Sequence, residues 1–523
     1  MRSNAVFRVF AAGIVAALVW TACGGVPASG QAQSGGVVRV ATDAEPNTFD
    51  WQSSTATATR LVAWHVFEGL YAIDQNYAVR PLLAAGPPAV SPDGLHYTIK
   101  LRSGLRFHNG QPVTAEDAIA SLQRWGKLSG GGQVTFKYIT ALRAADPQTI
   151  EITLSAPFTP LVTNLGDPKQ SAIVMPKAVA ERAGLKPLSE LVGTGPYIFK
   201  RWTRGQEIVL ARNPVYASRT ENWGGLTGRK VAYADEIDFT PVTDPQVRLA
   251  GVSTGQYDFA LALPADLYPK VKPNARLTSD IVKVFSWIGV VFNKAHGLFT
   301  DVRLRQAVQY AMKDSDLMAA AAGPKEFWQL DPGLFFPEQR ELHSTAGADV
   351  YNHPNLDKAR GLLREAGYKG DKVVVMTTKD YTDLYDTAQV LVPELQAAGF
   401  TVDLQVYDWA TLLSRRAKPE LYDVFITGFS PSIDPTGVIF FGATWPGWYK
   451  SAALDRLLAD WSRTPPGTEA RKQTMDQIQT LFYTEVPVAK VGNIYGLEVY
   501  NNGHLRGYTS FFDVRFWNTW VTH

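Results

Sequence analysis

Cysteine is almost missing from this sequence. One cysteine among 523 residues excludes an intramolecular disulfide, so the fold must be held together by burial of a hydrophobic core. An excess of charge of either sign is missing as well, since 51 Lys and Arg residues are balanced by 49 Asp and Glu residues. No run of like charge is longer than Arg415-Arg416. This balance argues against a nucleic-acid partner and against binding to an anionic membrane surface.

Motifs for metal and phosphate chemistry are also missing. The eight histidines are scattered, and no pair has the i, i+3 or i, i+4 spacing that a zinc site on a helix favours. No Gly-x-x-x-x-Gly-Lys loop is present to hold a nucleotide phosphate. The sequence therefore predicts neither a bound metal nor a cofactor.

The N-terminus carries a hydrophobic run that is too short to span a bilayer comfortably. Two arginines precede this apolar stretch at residues 9–22, which is the pattern of a secretory signal peptide. Cys23 follows directly, and we expect residues 1–22 to be removed and Cys23 to be lipidated as the first mature residue. Trp20 replaces the leucine that is usual three residues before such a cysteine, so cleavage by an ordinary signal peptidase remains an alternative.

After this segment the composition is that of a large globular protein. Residues 23–36 are mostly small and are expected to form a tether, so that folding begins near Val37. The hydrophobic fraction of 46% and the charged fraction of 19% indicate a large core. The length of 523 residues is sufficient for about three domains.

The most informative stretch is residues 95–124. Residues 97–101 alternate between apolar and polar side chains, which predicts a half-buried strand. Two turns rich in glycine and asparagine follow. Thr114 is then placed to cap a helix whose first turn is acidic, as the backbone dipole favours.

This stretch also resembles a family signature. Leu-Arg at 101–102, Phe-His-x-Gly-x-Pro at 107–112 and Thr-Ala-Glu-Asp at 114–117 are similar to the signature of the family 5 solute-binding proteins of ABC importers, the dipeptide- and oligopeptide-binding group. Residues 299–312 and 357–368 resemble a second and a third signature of the same family.

The resemblance covers residues 37–516 and implies an α/β fold of two lobes, the type II-like fold of periplasmic binding proteins, with an extra subdomain (class C). Strands and helices that alternate between residues 372 and 428 agree with this fold, because such alternation predicts βαβ units in a largely parallel sheet.

The family also implies where the domains begin and end. Lobe I is expected to comprise residues 37–76, 193–285 and 503–523. The extra subdomain of lobe I is expected at residues 77–192, and lobe II at residues 286–502.

Local patterns predict three further details. Residues 62–70 are expected to form a helix that ends in the Phe-Glu-Gly-Leu wording of the family. Gly193-Thr194-Gly195-Pro196 predicts a turn in which the glycines permit positive φ. Thr300 is expected to cap the helix that follows it.

The function that the resemblance implies is that of a receptor for a small solute, such as a peptide, and not that of an enzyme. Its lobes would close about a hinge on the solute and present a closed surface to an ABC permease, its membrane partner. The expected location is the periplasm or the outer face of the cytoplasmic membrane. The chain is expected to be a monomer that touches the membrane only through the lipid on Cys23.

The resemblance further indicates which residues approach the solute. In the family, the loop matching residues 47–50 and the segment matching 68–70 lie along the cleft, and the segment matching 428–430 pairs with an extended ligand. Oligopeptide binders keep a cation for a ligand carboxylate near the position of Arg415 or Arg416. The expected ligand-binding residues are Asp50, Trp51, Glu68, Gly69, Trp409, Arg415, Arg416, Gly428, Phe429, Ser430, Asp434 and Trp445.

One departure from the family bears on the solute. Peptide binders carry an aspartate two residues after the segment matching 428–430, and this carboxylate holds the α-ammonium of the ligand. Here Pro431 or Ser432 occupies that position, and Asp434 belongs to a later Asp-Pro element. The missing anchor disfavours simple peptides with free N-termini, so that opine-like conjugates, oligosaccharides or metal complexes remain alternative solutes.

A different class of function, a secreted serine hydrolase, rests on Gly251-Val252-Ser253-Thr254-Gly255. This sequence matches the nucleophile elbow in form, but the elbow needs a strand before the serine and a helix after it. Here the preceding residues predict a helix and the following ones a strand, so the order is reversed and the hydrolase is disfavoured.

Overall fold

The computed structural model describes residues 32–522; the predicted signal peptide, Cys23 and most of the tether lie outside these residues. In chain order the strands are β1 (Val37–Thr42), β2 (Tyr71–Ile73), β3 (Val79–Pro81), β4 (Ala89–Val90), β5 (His96–Lys100), β6 (Ile139–Asp146), β7 (Thr149–Leu154), β8 (Tyr197–Thr203), β9 (Glu207–Arg212), β10 (Glu236–Pro241), β11 (Phe259–Leu263), β12 (Leu277–Phe292), β13 (Trp328–Gln329), β14 (Lys372–Thr378), β15 (Thr401–Tyr407), β16 (Val424–Phe429), β17 (Val488–Asn501), β18 (Leu505–Arg506) and β19 (Trp520–Val521).

The helices of the described residues are α1 (Thr57–Val66), α2 (Ala115–Leu128), α3 (Gly130–Phe136), α4 (Pro160–Leu165), α5 (Lys177–Ala183), α6 (Pro245–Thr254), α7 (Tyr268–Val271), α8 (Val302–Ala311), α9 (Asp314–Ala322), α10 (Leu356–Glu365), α11 (Thr382–Ala398), α12 (Trp409–Arg416), α13 (Ala452–Arg463) and α14 (Glu469–Glu485). Within residues 32–522, no helix combines the length and the hydropathy needed to cross a membrane.

One large sheet runs through the molecule in the order β15-β14-β16-β12-β17-β11-β1-β10-β9-β8, and β13 adds to β17. β14 pairs in parallel with β15 and with β16, and the intervening helices are α11 and α12. This arrangement confirms the predicted βαβ units between residues 372 and 428. A separate sheet, here called the small sheet, has the order β4-β5-β7-β6.

Two lobes are built on this large sheet. We call β1 and β8–β11 with α1 the first lobe, and β14–β16 with α12–α14 the second lobe. The first lobe has a core that includes Val40, Phe239 and Trp517, and the second lobe has one that includes Phe425 and Phe482. The small sheet encloses a further cluster with α2, and the helices α8–α11 cover another cluster.

The two lobes share the long strands β12 and β17. Residues 277–282 of β12 pair with residues 496–501, and residues 286–291 pair with residues 488–494. The register shifts between Val282 and Ser286, so the ladder is interrupted at the point where the sheet passes from one lobe to the other. Such an interruption in a ladder weakens the local restraint on the strands and is a natural place for bending.

Two predictions about helix ends were wrong in detail. The helix predicted over residues 62–70 is α1, which ends at Val66 because the chain turns away to form a bridge between Gly69 and Ile173. The residue that caps α8 is Asp301, whose carboxylate accepts a hydrogen bond of 2.8 Å from the amide of Arg303. The hydroxyl of the predicted cap, Thr300, instead donates to a carbonyl in the preceding turn.

The glycines near residue 194 are required for a different reason from the predicted one. Neither Gly193 nor Gly195 has a positive φ. A Cβ on Gly193 would lie 2.0 Å from the carbonyl oxygen of Val66, and one on Gly195 would lie 2.3 Å from that of His65. Glycine is needed here because the backbone passes against the end of α1.

Candidate ligand site at the meeting of the lobes

An unpaired strand edge lies in the second lobe. One edge of β16 is paired with β12 over the whole length of β16, from Val424 to Phe429. β14 pairs with the other edge of β16 only at Val424 and Phe425. In the described part of the chain, the edge from residue 426 to residue 429 therefore has no neighbouring strand. The predicted ligand residues Gly428 and Phe429 lie on this edge, and Ser430 follows them.

Aromatic rings pack behind this edge. The ring of Phe429 stacks on Trp287 with centroids 4.4 Å apart, and it lies 5.0 Å from Phe440 and 5.8 Å from Trp445. Phe429 is buried, so these contacts fix its position. The backbone of the edge is thereby held in place while one side of it remains without a partner.

The guanidinium group of Arg416 lies among aromatic rings close to the unpaired edge of β16. The Cζ atom of Arg416 is 5.8 Å from the ring centroid of Trp409, 5.5 Å from that of Phe425 and 5.6 Å from that of Trp445. Within residues 32–522 its side chain makes no hydrogen bond or ion pair. Burial lowers the pKa of Arg416 from its ordinary value, but an arginine remains cationic under such conditions. Its donors are therefore available to an anionic group of a solute.

The adjacent Arg415 has a different environment. Its Cζ atom lies 4.6 Å from the ring centroid of Tyr407 on β15, and its Nε atom is buried without a hydrogen-bond partner. The structure thus brings Arg416, Trp409, Trp445 and Phe429 together, whereas the side chain of Arg415, the preceding residue of α12, lies over Tyr407 on β15.

Asp50 and Trp51 lie in the interior of the first lobe. The carboxylate of Asp50 is fully buried and accepts hydrogen bonds of 2.5 and 3.0 Å from the guanidinium of Arg124. The Nε1 of Trp51 donates to the carbonyl of Pro168 at 2.9 Å. Both side chains therefore have hydrogen-bond partners inside the protein.

Glu68 and Gly69 also lie inside the first lobe. The carboxylate of Glu68 is 2.9 Å from Nζ of Lys230 and accepts hydrogen bonds from Tyr216 at 2.7 Å and from Thr194 at 3.0 Å. Glu68 and Gly69 line a cavity of about 20 Å³, which is too small for a solute of peptide size. This network is a buried ion pair whose polar atoms are satisfied within the lobe.

Asp434 is engaged by its own lobe. Its carboxylate accepts hydrogen bonds from the amide and hydroxyl of Thr436 at 2.8 and 2.6 Å and from Nε1 of Trp461 at 3.0 Å. A guanidinium nitrogen of Arg471 lies 3.7 Å away. Burial is the largest influence and raises the pKa of Asp434 despite these donors. The carboxylate is therefore not free to hold an ammonium group.

Several residues at the meeting of the lobes were not predicted from the sequence. Tyr77 has a φ of +64°, its ring lies tilted against that of Phe511 with centroids 4.9 Å apart, and it packs against the hydrophobic clusters of both lobes. The amide of Thr159 donates to the carbonyl of Ser462 across the lobes at 2.7 Å. Positive φ is rare for a tyrosine, and only this conformation marks the position as unusual.

A large cavity opens between the small sheet and the second lobe. Its volume is about 1130 Å³, and its lining includes Tyr77, Asp93, Thr159, Arg340, Trp461 and Lys472. This volume is sufficient for a solute of several hundred daltons.

Two further sites were considered from the sequence. Among residues 32–522 no three His, Cys, Asp or Glu side chains are grouped so as to hold a metal ion. Ser253 lies within α6, and its hydroxyl donates to the carbonyl of Leu249 one turn earlier at 2.7 Å. A serine in a helix interior lacks the strand-to-helix turn of a nucleophile elbow.

A two-lobed α/β fold with an open strand edge near the hinge defines a hinged solute-binding protein. The model of the bacterial extracellular solute-binding proteins, family 5 Middle, matches residues 78–447, and the chain belongs to this family. This match confirms the resemblance found in residues 95–124, and with it the role of a solute-binding protein.

Curated relatives cover most of the chain. A probable peptide ABC transporter periplasmic-binding protein of Sinorhizobium fredii is 29% identical over 474 residues, which cover 85% of this chain and 86% of the relative. The glutathione-binding protein GsiB of Pectobacterium atrosepticum is 26% identical over 479 residues, which cover 87% and 88%.

Solved structures share the fold. The periplasmic binding protein DppA of Helicobacter pylori in complex with the peptide STSA has a TM-score of 0.75 at 21% identity, with 94% of this chain and 98% of that chain covered. The binding protein AgaA of A. tumefaciens in complex with agropinic acid has a TM-score of 0.76 at 24% identity, with 93% and 99% covered. These similarities confirm the predicted two-lobed fold.

Proposed function

We propose that this chain captures a peptide-like solute, or another small polar solute with a carboxylate, at the unpaired edge of β16 and delivers it to an ABC permease. The observation that supports this most directly is the edge from residue 426 to residue 429, which has no neighbouring strand while rings behind it hold it in place. An extended ligand adds to such an edge through main-chain hydrogen bonds.

Arg416 is the proposed partner of the solute carboxylate. Its guanidinium has free donors and is held among Trp409, Phe425 and Trp445. A guanidinium can bind a carboxylate with two parallel hydrogen bonds, and a partly desolvated pair is stronger than one in water.

We propose that the protein binds its solute without a carboxylate that holds a free α-ammonium group of the solute. Asp434 is occupied by Thr436 and Trp461, so the anchor of simple peptide binders is lacking on this side of the cleft. This favours N-substituted peptides and opine-like conjugates, whose α-nitrogen is not a free ammonium group. The relatives include a glutathione-binding protein, and the similar structures include one solved with agropinic acid, so peptides with a γ-linkage also belong in the test.

Closure about β12 and β17 is the proposed mechanism. The interrupted register between Val282 and Ser286 would bend, and contacts such as that of Thr159 with Ser462 would form as the lobes approach. The domain limits proposed are those given above for lobe I, its extra subdomain and lobe II. The receptor is proposed to act as a monomer without covalent chemistry, and turnover of a bound solute by the purified chain would contradict this.

We propose, on the basis of the N-terminal sequence, that the chain is exported from the cytoplasm. Residues 1–22 would direct secretion, and a lipid on Cys23 would hold the mature chain at the outer face of the cytoplasmic membrane. Failure of radiolabelled palmitate to label the wild-type chain, under conditions that label a known lipoprotein, would contradict the anchor and leave secretion standing.

The solute-binding proposal is tested with protein purified without refolding. Native mass spectrometry should show a retained solute of small mass, or retention of glutathione from a pool of N-acetylated and γ-linked di- and tripeptides. Arg416→Gln should weaken retention about tenfold or more, because it removes the proposed carboxylate partner. The matched control Arg201→Gln changes an exposed arginine on β8 and should leave retention unchanged. Equal retention by both variants would contradict the role of Arg416.

A further inference from the structure

The side chain of Asn493 is buried without partners. It lies on β17, is only 1% exposed, and neither its Oδ1 nor its Nδ2 atom has a hydrogen-bond partner within the described residues. Most buried polar atoms in folded proteins are hydrogen-bonded, because leaving a carboxamide unpaired loses the bonds that it makes to water. A side chain that leaves both its donor and its acceptor unpaired therefore requires an explanation.

The neighbours of Asn493 place it beside the candidate site. In the sheet it is opposite Trp287 on β12 and opposite Gln329 on β13. Trp287 is the residue on which Phe429 of the unpaired edge stacks. Opposed residues in antiparallel strands project to the same face, so Asn493 shares the face of the sheet on which this aromatic wall lies.

Polar side chains lie on either side of Asn493 along β17. Gln329 and Tyr495 are partly exposed, and the hydroxyl of Tyr495 donates to Oε1 of Gln329 at 2.6 Å. On the other side lies Lys490, which is 3% exposed; its Nζ donates to the carbonyl of Gly333 and lies 5.6 Å from the ring of Trp287. The carboxamide thus lies among polar groups, of which Gln329 and Tyr495 are partly exposed.

We propose that Asn493 is a specificity-determining residue of the solute site, which hydrogen-bonds an amide group of the solute through both its Oδ1 and its Nδ2 atoms. A carboxamide offers an acceptor and two donors, and an amide offers the complementary donor and acceptor. A carboxylate offers only acceptors and an ammonium only donors, so neither pairs with both atoms. The inference rests on the proposed function, and it adds an amide to the carboxylate that Arg416 would bind.

The test replaces the amide with an apolar group of similar size. Asn493→Leu removes both polar atoms, and the loss of an unpaired buried carboxamide should leave the melting temperature of the solute-free protein unchanged or raise it. Retention of the host solute, or of glutathione from the peptide pool, should fall about tenfold or more in native mass spectra.

Gln479→Met is the matched control. Gln479 is a fully buried carboxamide of the second lobe whose Oε1 accepts from the amide of Leu334 at 2.9 Å and whose Nε2 donates to the carbonyl of Pro332 at 2.6 Å. Its replacement should lower the melting temperature, because these partners are left unpaired, and should not change which solute is retained. The two variants are therefore expected to show opposite patterns of stability and retention.

Other results would overturn the inference. A lower melting temperature of Asn493→Leu with undiminished retention would mean that trapped water satisfies the carboxamide and that its role is structural. Loss of retention in Arg416→Gln but not in Asn493→Leu would leave the proposed function standing and remove only this inference. A wild-type protein that retains neither a host solute nor any member of the pool would contradict both.

Discussion

Glu498 shows at the scale of one residue how burial in the strands shared by the lobes changes the pKa of a carboxyl group. It lies on β17 opposite Asp280 on β12, and the hydroxyl of Tyr508 donates to its carboxylate. Burial is the largest cause that raises the pKa of Glu498 to about 8, and the nearby Asp280 raises it further. The folded chain therefore holds a proton on Glu498 at pH values at which an unfolded chain has lost it.

The sign of the resulting pH dependence follows from this difference. Between the ordinary value of 4.5 and the folded value of about 8, the folded state binds more protons than the unfolded state, so the free energy of unfolding falls as pH rises. We expect Glu498→Gln to flatten the fall in melting temperature between pH 5 and pH 8, by an amount that corresponds to at least about 1 kcal/mol. The exposed Glu116→Gln should keep the wild-type slope, and equal slopes in all three proteins would contradict the assignment.

Single residues also show which contacts could not be predicted from the sequence. Likeness to the family places Gly428, Phe429 and Arg416 in one region of the chain, because their motif is contiguous. The motif could not indicate that Asp50 and Glu68 are enclosed by Arg124 and Lys230, since burial depends on residues far away in the sequence. The pairing of Trp287 with Asn493 was equally hidden, because it joins strands separated by about two hundred residues.

At the scale of elements, local sequence patterns predicted more of the structure than they did at the scale of single residues. The strand and helix expected within residues 95–124 are β5 and α2, and Thr114 forms a reciprocal capping box with Asp117. The helix caps near residue 300 differ by one position, because Thr300 and Asp301 are both competent caps and the preceding turn selects the second. Periodicity and capping depend on residues that are close in the sequence. They predict the presence of a helix or strand better than the residue at which it ends.

The Gly193–Gly195 segment allows a prediction about an element. Gly195→Ala should destabilise the fold by about 1–3 kcal/mol, because the new methyl group would meet the backbone of His65 and Val66 at the end of α1. Gly86→Ala is the control, since it has open space around the added atom. The measurement is the free energy of unfolding in urea. Equal values for the two variants would mean that the chain can move away from α1.

At the scale of the whole molecule, Arg471 joins the lobes. One of its guanidinium nitrogens donates to the hydroxyl of Thr159 before α4 at 3.0 Å and to the carbonyl of Trp461 at 2.9 Å. The guanidinium also stacks 3.6 Å from the ring centroid of Trp461. The bond to Thr159 thus connects the end of the small-sheet region with the second lobe.

Arg471→Met is expected to favour the open form. It removes the hydrogen bond to Thr159, which joins the second lobe to the small-sheet region, and this loss should cost the closed state about 1.5–3 kcal/mol relative to the open state. Small-angle X-ray scattering should then report a larger radius of gyration than for the wild type. Lys472→Met, which changes an exposed neighbour, should not alter it. An unchanged radius for Arg471→Met would show that closure does not depend on this arginine.

The core of the first lobe contains residues from both ends of the described chain, since Val38 and Val40 pack with Phe516, Trp517 and Val521. During synthesis this core stays incomplete until nearly the last residues emerge, whereas the strands and helices of the second lobe are all made earlier. A nascent chain of this kind delays the completion of one body and keeps its apolar surface available to chaperones. Because these aromatic residues are synthesised late, we expect the first lobe to complete its core after the second lobe.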